Sequence, residues 1–398
     1  MNVSEFFLQL LVLLISAKLF AELFAALKLP SVLGEVIAGI VIGPSLLGII
    51  TPDATFHILA EIGILLLLFE VGLETDVGQL VKVGVQSTLV ALTGVIVPAL
   101  AGFWIGHYVL NLSPLVSLFI GGTIVATSIG ITVRVLVDLK KQHSRMAKVV
   151  LGAAVLDDVV GVVLLAVLYD FAVKGTVDIM SSGRVLVLIT FFLIIAPVIT
   201  KLMVPVISRL ASNSRTKGMI PTVIISLILV LAVVSHKVGA PEILGSFAAG
   251  IALARRFFLP FGASLDHYSH GLAEKIEENM KPIIELFVPV FFVMVGVSIN
   301  LRVIDFSSPV FWQMASLLTA GAIAAKMVSG VWAKGDFREK LTTGIAMVPR
   351  GEVGLIFAEV GRRSGIFDEM IYAVVVFVVA LTTLFAPLLL RFVAGKEE

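Results

Sequence analysis

Cysteine is absent from this 398-residue chain, so no disulfide, iron–sulfur cluster or thiolate zinc site can form. The six histidines are scattered without metal-ligand spacing. Charge is scarce too: Asp, Glu, Lys and Arg make up 14% of the residues, against roughly a quarter in an ordinary soluble domain. With 29 basic and 28 acidic residues the net charge is +1, and no overall field draws the chain to nucleic acid. These absences point away from redox chemistry, metal catalysis and nucleic-acid binding. No cofactor and no enzymatic activity are expected.

What is present is apolar. Hydrophobic residues make up 59% of the chain and the mean hydropathy is +1.09, which predicts an all-α polytopic membrane protein surrounded by membrane lipid. The N-terminal stretch MNVSEFFLQLLVLLISAKLF lacks a basic leader and a small-residue cleavage site, so it reads as a first transmembrane helix. Cutting at Pro, Gly and charge clusters leaves about thirteen apolar segments, near 5–27, 31–50, 56–74, 85–110, 114–137, 146–172, 183–210, 219–236, 241–255, 279–299, 309–333, 339–362 and 368–394. An odd number of crossings puts the termini on opposite sides. Lys and Arg concentrate in alternate connections, among them Lys140, Lys141, Arg145 and Lys148, then Lys334, Arg338 and Lys340, which predicts an outside N-terminus and a cytoplasmic C-terminus. No connection is long enough for a soluble module, and no nucleotide-binding domain is expected. The longest polar connection, 256–279, is read as ending in a short amphipathic helix at the membrane surface.

The chain repeats itself. PSVLGEVIAGI at 30–40 matches PEILGSFAAGI at 241–251 at Pro, Leu, Gly, Ala, Gly and Ile with one constant offset. LFEVGL at 68–73 is echoed by FVMVGV at 292–297. The matching segments stand an odd number of spans apart, so the two halves enter the membrane in opposite directions, the inverted-topology architecture of secondary transporters.

Corresponding segments of the two halves are interrupted at mid-depth. GGTIVATSIGITVRV places Thr127, Ser128, Gly130 and Thr132 in one apolar run, and MVPRGEVGL places Pro349, Arg350, Gly351 and Glu352 in the other. Broken helices expose unpaired amides and carbonyls whose dipole ends hold ions or attract charged side chains. Arg350 and Glu352 are placed to neutralise such ends; the competing account is a mutual salt bridge in a surface loop. In LGAAVLDDVVG, Asp157 and Asp158 lie about eleven residues in from Met146, close to the middle of a span. A charge at that depth costs at least ~2.5 to 3.5 kcal/mol, so the pair requires a partner or a purpose. Neighbours on a helix point about 100° apart, which lets one carboxylate face a cavity while the other faces a partner. Lys326, alone in an apolar segment, is the best partner. Glu70 and Glu74, at the end of the third segment, either line a cytoplasmic funnel for cations or are structurally paired.

Taken together, these motifs resemble the monovalent cation/proton antiporter superfamily on its paired-aspartate branch, and are most similar to the NapA-type bacterial sodium/proton antiporters. The resemblance runs from PSVLGEVIAGIVIGPSLLG through LGAAVLDDVVG and Lys326 to PRGEVGL, essentially the whole chain. It implies an NhaA-like fold with two crossed discontinuous helices. In that fold a core domain (81–175 and 306–398) slides against a scaffold and dimerisation domain (1–80 and 215–305), with 176–214 as linker. It further implies that Asp158 carries the cation and the proton, that Asp157 pairs with Lys326, that both aspartates contact Na+, and that the protein is a homodimer. Related electroneutral exchangers have Asn, and glutathione-gated potassium systems Gln, where this chain has Asp157.

The resulting expectation is an electrogenic sodium (or lithium)/proton antiporter of a bacterial inner membrane, coupled by competition of cation and protons for one site. A potassium/proton antiporter on the same fold is the first alternative. A proton-gated channel or a membrane sensor, using the buried charges as a switch, is the rival from another class.

Overall fold

The structure, a computed structural model, describes residues 3–27, 29–74, 77–174, 179–213, 218–254 and 269–394. Among these residues there are fifteen α-helices and no strand. The first seven are α1 (Val3–Ala26), α2 (Ser31–Ile42), α3 (Ala54–Glu74), α4 (Val77–Trp104), α5 (Pro114–Thr123), α6 (Ile129–Asp138) and α7 (Arg145–Lys174). A long helix, α8 (Ile179–Asn213), follows. The last seven are α9 (Met219–Lys237), α10 (Glu242–Leu253), α11 (Ser269–Ser298), α12 (Pro309–Val328), α13 (Phe337–Ala346), α14 (Glu352–Arg363) and α15 (Glu369–Ala394). Eight of the described helices are long and apolar enough to cross a membrane; α2, α5 and α10 are apolar but short.

Local chemistry sets the ends of these helices. α5 and α12 each open with Pro after a capping Ser: Ser113 accepts from Val116 N and Ser308 from Phe311 N. Asp336 caps α13 by accepting from Glu339 N at 2.8 Å. The apolar segment at 31–50 does not stay helical to its end. The chain turns at Gly43 and Pro44, and the amides of Leu47, Gly48, Ile49 and Ile50 bend back onto the carbonyls of Val41, Gly43 and Ile42. Gly48 supplies the left-handed conformation this turn needs (φ 65°). At the other long connection, the surface helix expected before residue 279 is continuous with α11, which begins at Ser269.

The chain forms two compact units, Met1–His57 with Val83–Ile179 and Phe292–Glu398, and Ile58–Lys82 with Met180–Phe291. The repeat legible in the sequence is present in the packing of each. In the first unit α2 folds back on α1 so closely that a Cβ at Gly34 would strike the Phe20 carbonyl; in the second, α10 folds back on α9 and Gly245 meets the Leu231 carbonyl. The offset that relates Gly34 to Gly245 also relates Phe20 to Leu231. Gly39 of α2 lies against Val293 and Gly296 of α11, and Gly250 of α10 lies against Phe69 and Gly72 of α3. Each half thus contributes the short helix to one crossing and the long helix to the other. Small residues allow this backbone-to-backbone approach. α5 and α6 correspond to α13 and α14 at another constant offset, start for start and break for break.

Gly39→Ala should lower the melting temperature in detergent, because its Cβ has only backbone to meet, Gly296 Cα at 2.9 Å among it; overpacking of this kind costs about 1–3 kcal/mol. Gly84→Ala, with nothing within 4 Å, is the control and should melt at or above the parent temperature. Equal melting of both variants would show that the α2–α11 crossing is looser than described.

Candidate ion-binding site

α7 packs against all four half-helices, α5, α6, α13 and α14. Both breaks lie in the interior: residues 124–128 separate α5 from α6, and 347–351 separate α13 from α14. A break in an apolar interior leaves carbonyls without helical partners. Here each break is closed by the other. Arg350, fully buried, donates from Nη1 to the Val125 carbonyl at 3.2 Å and the Ala126 carbonyl at 2.9 Å. In return Thr127 Oγ1 donates to the Met347 carbonyl at 3.1 Å and Thr132 Oγ1 to the Ala346 carbonyl at 2.8 Å. One backbone bond joins the two directly, Ser128 N to the Pro349 carbonyl at 2.8 Å.

The helix starts are treated differently. Ser128 caps α6 by accepting from Ile131 N at 3.4 Å. α14 starts after Gly351 with no side-chain cap. A Cβ at Gly351 would come within 3.0 Å of the Ser128 side chain, so the crossing is tight there. Arg350 places a positive charge at the negative end of α5, a favourable interaction with the helix dipole. Its Nε and Nη2 have no hydrogen-bond partner among the described residues.

The aspartates of α7 lie beside this crossing. Asp157 is fully buried and Asp158 nearly so. Lys326 Nζ, with no solvent exposure, donates to Asp157 Oδ2 at 3.1 Å, forming an ion pair with both side chains at 0% exposure. Asp157 Oδ1 has no hydrogen-bond partner among the described residues. Asp157 also acts electrostatically on Arg350, and Asp158 on Lys326. With all four groups ionised the cluster sums to zero, the condition under which burying them is least costly.

The structure therefore brings Asp157, Asp158, Lys326, Arg350, Thr127, Ser128 and Thr132 into one neighbourhood. Gly130 is buried in the first turn of α6 and offers no side chain. Glu352 opens α14, and its side chain lies outside the described residues. Glu70 and Glu74 end α3 in the second unit, Glu70 half-buried and Glu74 exposed. Two participants were not legible as such. Thr383 of α15 donates to the Arg350 carbonyl at 2.7 Å; the only signal was a Thr pair in the apolar run FVVALTTLFAP. Gly94 of α4 stands beside Lys326, where a Cβ would lie 3.5 Å from Nζ. Among the described residues no group of three or more His, Cys, Asp or Glu is arranged to hold a metal.

A fold of paired repeats with buried carboxylates at the crossing of two interrupted helices defines a secondary transporter of ions. Residues 10–396 match the family model for "Sodium/hydrogen exchanger, transmembrane", and the chain belongs to that family of monovalent cation/proton antiporters. It is 32% identical to the high-affinity Na(+)/H(+) antiporter NhaS3 of Synechocystis, over 98% of this chain and 91% of that one. It is 35% identical to the Na(+)/H(+)-K(+) antiporter GerN of Bacillus cereus, over 99% of this chain and 97% of that one. Its fold is similar to the structure of the sodium proton antiporter MjNhaP1 from Methanocaldococcus jannaschii at pH 8, with a TM-score of 0.69 at 17% identity, covering 98% and 99% of the two chains.

Arg350→Met should destabilise the protein in detergent by about 3–5 kcal/mol, because it leaves the Val125 and Ala126 carbonyls and a buried anionic cluster without their cation. Arg350→Lys, which keeps the charge but not the fork of donors, should fall between the two. Thermal unfolding checks both, and a parent-like melt of Arg350→Met would show that the crossing does not depend on this side chain.

Proposed function

We propose that this protein is an electrogenic antiporter that exchanges sodium, or lithium, for protons across a bacterial inner membrane. The observation that carries the reading is the buried Lys326–Asp157 ion pair with Asp158 beside it, at the crossing of two broken helices. Burial makes every charge in this cluster expensive unless it is matched. A proton or a dehydrated cation on Asp158 each neutralises that carboxylate, and the two exclude each other. Competition for one carboxylate then couples the fluxes without ATP. Asp157, whose Oδ1 is unpartnered, is the second oxygen ligand offered to Na+.

Charge counting fixes the stoichiometry on this reading. In the proton-loaded site Asp158 is protonated, Asp157 is ionised and Lys326 is charged, a sum of zero. In the cation-loaded site both aspartates are ionised, Lys326 is neutral and one sodium is bound, a sum of minus one. Two protons then move against one sodium. Arg350 stays charged throughout and holds the crossing together.

The transport cycle is read as alternating access. α5 with α6 and α13 with α14 each make one interrupted crossing, which brings the crossings to about thirteen and relates α1–α7 to α9–α15 as inverted repeats joined by α8. Residues 81–175 and 306–398 form the moving core, 1–80 and 215–305 the scaffold that pairs two copies into a homodimer, and 176–214 the link. The N-terminus lies outside and the C-terminus in the cytoplasm, with Glu70 and Glu74 lining a cytoplasmic funnel. Potassium is the second cation to test, because the relative GerN is named for potassium as well as sodium.

Purified protein in liposomes, with an imposed pH gradient and sodium, lithium or potassium outside, tests the assignment. Asp158→Asn should fold normally and reduce exchange to the level of empty liposomes, since the amide keeps the shape but takes neither proton nor cation. Proton-coupled sodium uptake by that variant would remove the central claim. Lys326→Gln makes both loaded states minus one, so it should still exchange but without response to membrane potential. Voltage-driven sodium transport by an active Lys326→Gln protein would exclude the lysine as a proton carrier.

A further inference from the structure

Glu35 is the one ionisable residue of α2, and it is 1% exposed with Oε2 lacking any hydrogen-bond partner among the described residues. It sits in the repeated motif PSVLGEVIAGI, where the other half has Ser246 at the equivalent position. Ser246 Oγ is satisfied by the Leu65 carbonyl. Packing therefore accepts a small neutral group at this place, and the carboxylate in α2 is a departure from what the fold requires.

The surroundings of Glu35 depart from the repeat in the same way. The amide and hydroxyl of Ser31, at the start of α2, both donate to Asp138 Oδ2 at 2.9 Å, so the last residue of α6 caps α2. One turn along α2 from Ser31 is Glu35, and one turn back along α6 from Asp138 is Arg134. Arg134 Nε lies 3.6 Å from Asp138 Oδ1 and has no hydrogen-bond partner among the described residues, while its side chain is 29% exposed. The equivalents of Arg134 and Asp138 in α14 are Phe357 and Gly361, so this arrangement exists in one half alone. The charges acting on Glu35 are Arg134 and Asp138 from α6 and Lys18 from α1. α15 and the Phe292–Ser298 end of α11, which also touch α2, add none to that set. Glu22, on α1 as well, is exposed.

We propose that Glu35 is a second proton-binding site of this protein, distinct from Asp157 and Asp158, whose charge sets how firmly α6 is held against α2. Ionised, Glu35 attracts Arg134 and adds a second charged contact one turn deeper than the Ser31–Asp138 cap. Protonated, it releases Arg134, whose partly exposed side chain can turn to water, and only the cap remains. The link to transport rests on the proposed function, in which α6 belongs to the moving core and α2 to the scaffold, so that the attraction slows the movement at alkaline pH.

Two measurements on Glu35→Gln separate the site from its consequence. Infrared difference spectra of the protein in detergent, between acid and alkaline pH, should show a protonated-carboxyl band that is present in the parent and missing from the variant. Identical spectra would overturn the proton site whether or not the protein transports. In liposomes, Glu35→Gln should raise sodium-driven turnover at alkaline pH by about two- to fivefold, the factor that a partly exposed ion pair supplies. It should also remove one ionisation from the profile of kcat against pH, and leave the KM for sodium unchanged. Arg134→Gln should give the same profile and the double variant no further change. A parent-like profile in Arg134→Gln would overturn the latch even if Glu35→Gln does not fold. A parent protein that shows the band but no exchange would count against the proposed function and leave the proton site standing.

Discussion

A carbonyl that loses its helical partner inside an apolar interior must be given another, and the centre of this protein is organised around that requirement. Two helices are interrupted in the same region, and neither could remain so alone. Arg350, from one break, takes the carbonyls just after α5; Thr127, from the other, and Thr132, in the first turn of α6, take those at the end of α13. The Ser128–Pro349 backbone bond and the Thr383 hydroxyl complete the arrangement. Because each break supplies the other's hydrogen bonds, the geometry beside α7 is held by both halves of the chain together.

The same economy governs the charges. Asp157 and Asp158 bring two negative charges into the interior, and Lys326 and Arg350 bring two positive ones. Balance of this kind makes burial tolerable, and it also makes the cluster sensitive, since adding or removing one proton leaves a net charge where water cannot screen it. Replacing such a cluster with well-packed apolar side chains is often neutral or stabilising, so stability alone does not account for it. The chain belongs to the sodium/hydrogen exchanger family, and the proposed exchange cycle is built on that sensitivity.

Agreement and disagreement between the two halves divide along the line between packing and chemistry. They agree in the glycines that let helix backbones touch, Gly34 with Gly245, Gly39 with Gly250, and Gly72 with Gly296. They agree again in the positions of the helix breaks. They differ where charge is found: Val379 to Thr382 of α15 is uncharged where α7 carries its aspartate pair, Ser246 stands opposite Glu35, and Phe357 stands opposite Arg134. The halves repeat in packing, and the three departures named here are in charge.

By itself the sequence determined what depends on neighbours along the chain. Runs of apolar residues of sufficient length, Ser-Pro starts and Gly-Pro stops placed most helices to within a few residues, and the interruptions at Thr127–Thr132 and at Pro349–Glu352 were visible as polar and flexible residues in apolar runs. The isolation of Asp157, Asp158 and Lys326 in such runs marked them as residues needing an explanation, because lipid offers a charge no partner. The tertiary structure alone decided the pairings: which oxygen receives Lys326, that Arg350 serves carbonyls of the opposite break, and that Thr383 holds the Arg350 backbone. It also decided that Glu35, one residue in a packing motif, is left with an unpartnered oxygen near Arg134. These contacts join residues from 33 to 225 positions apart, and no local periodicity encodes them; they follow only when the helices have packed and each buried polar group has taken the partner within its reach.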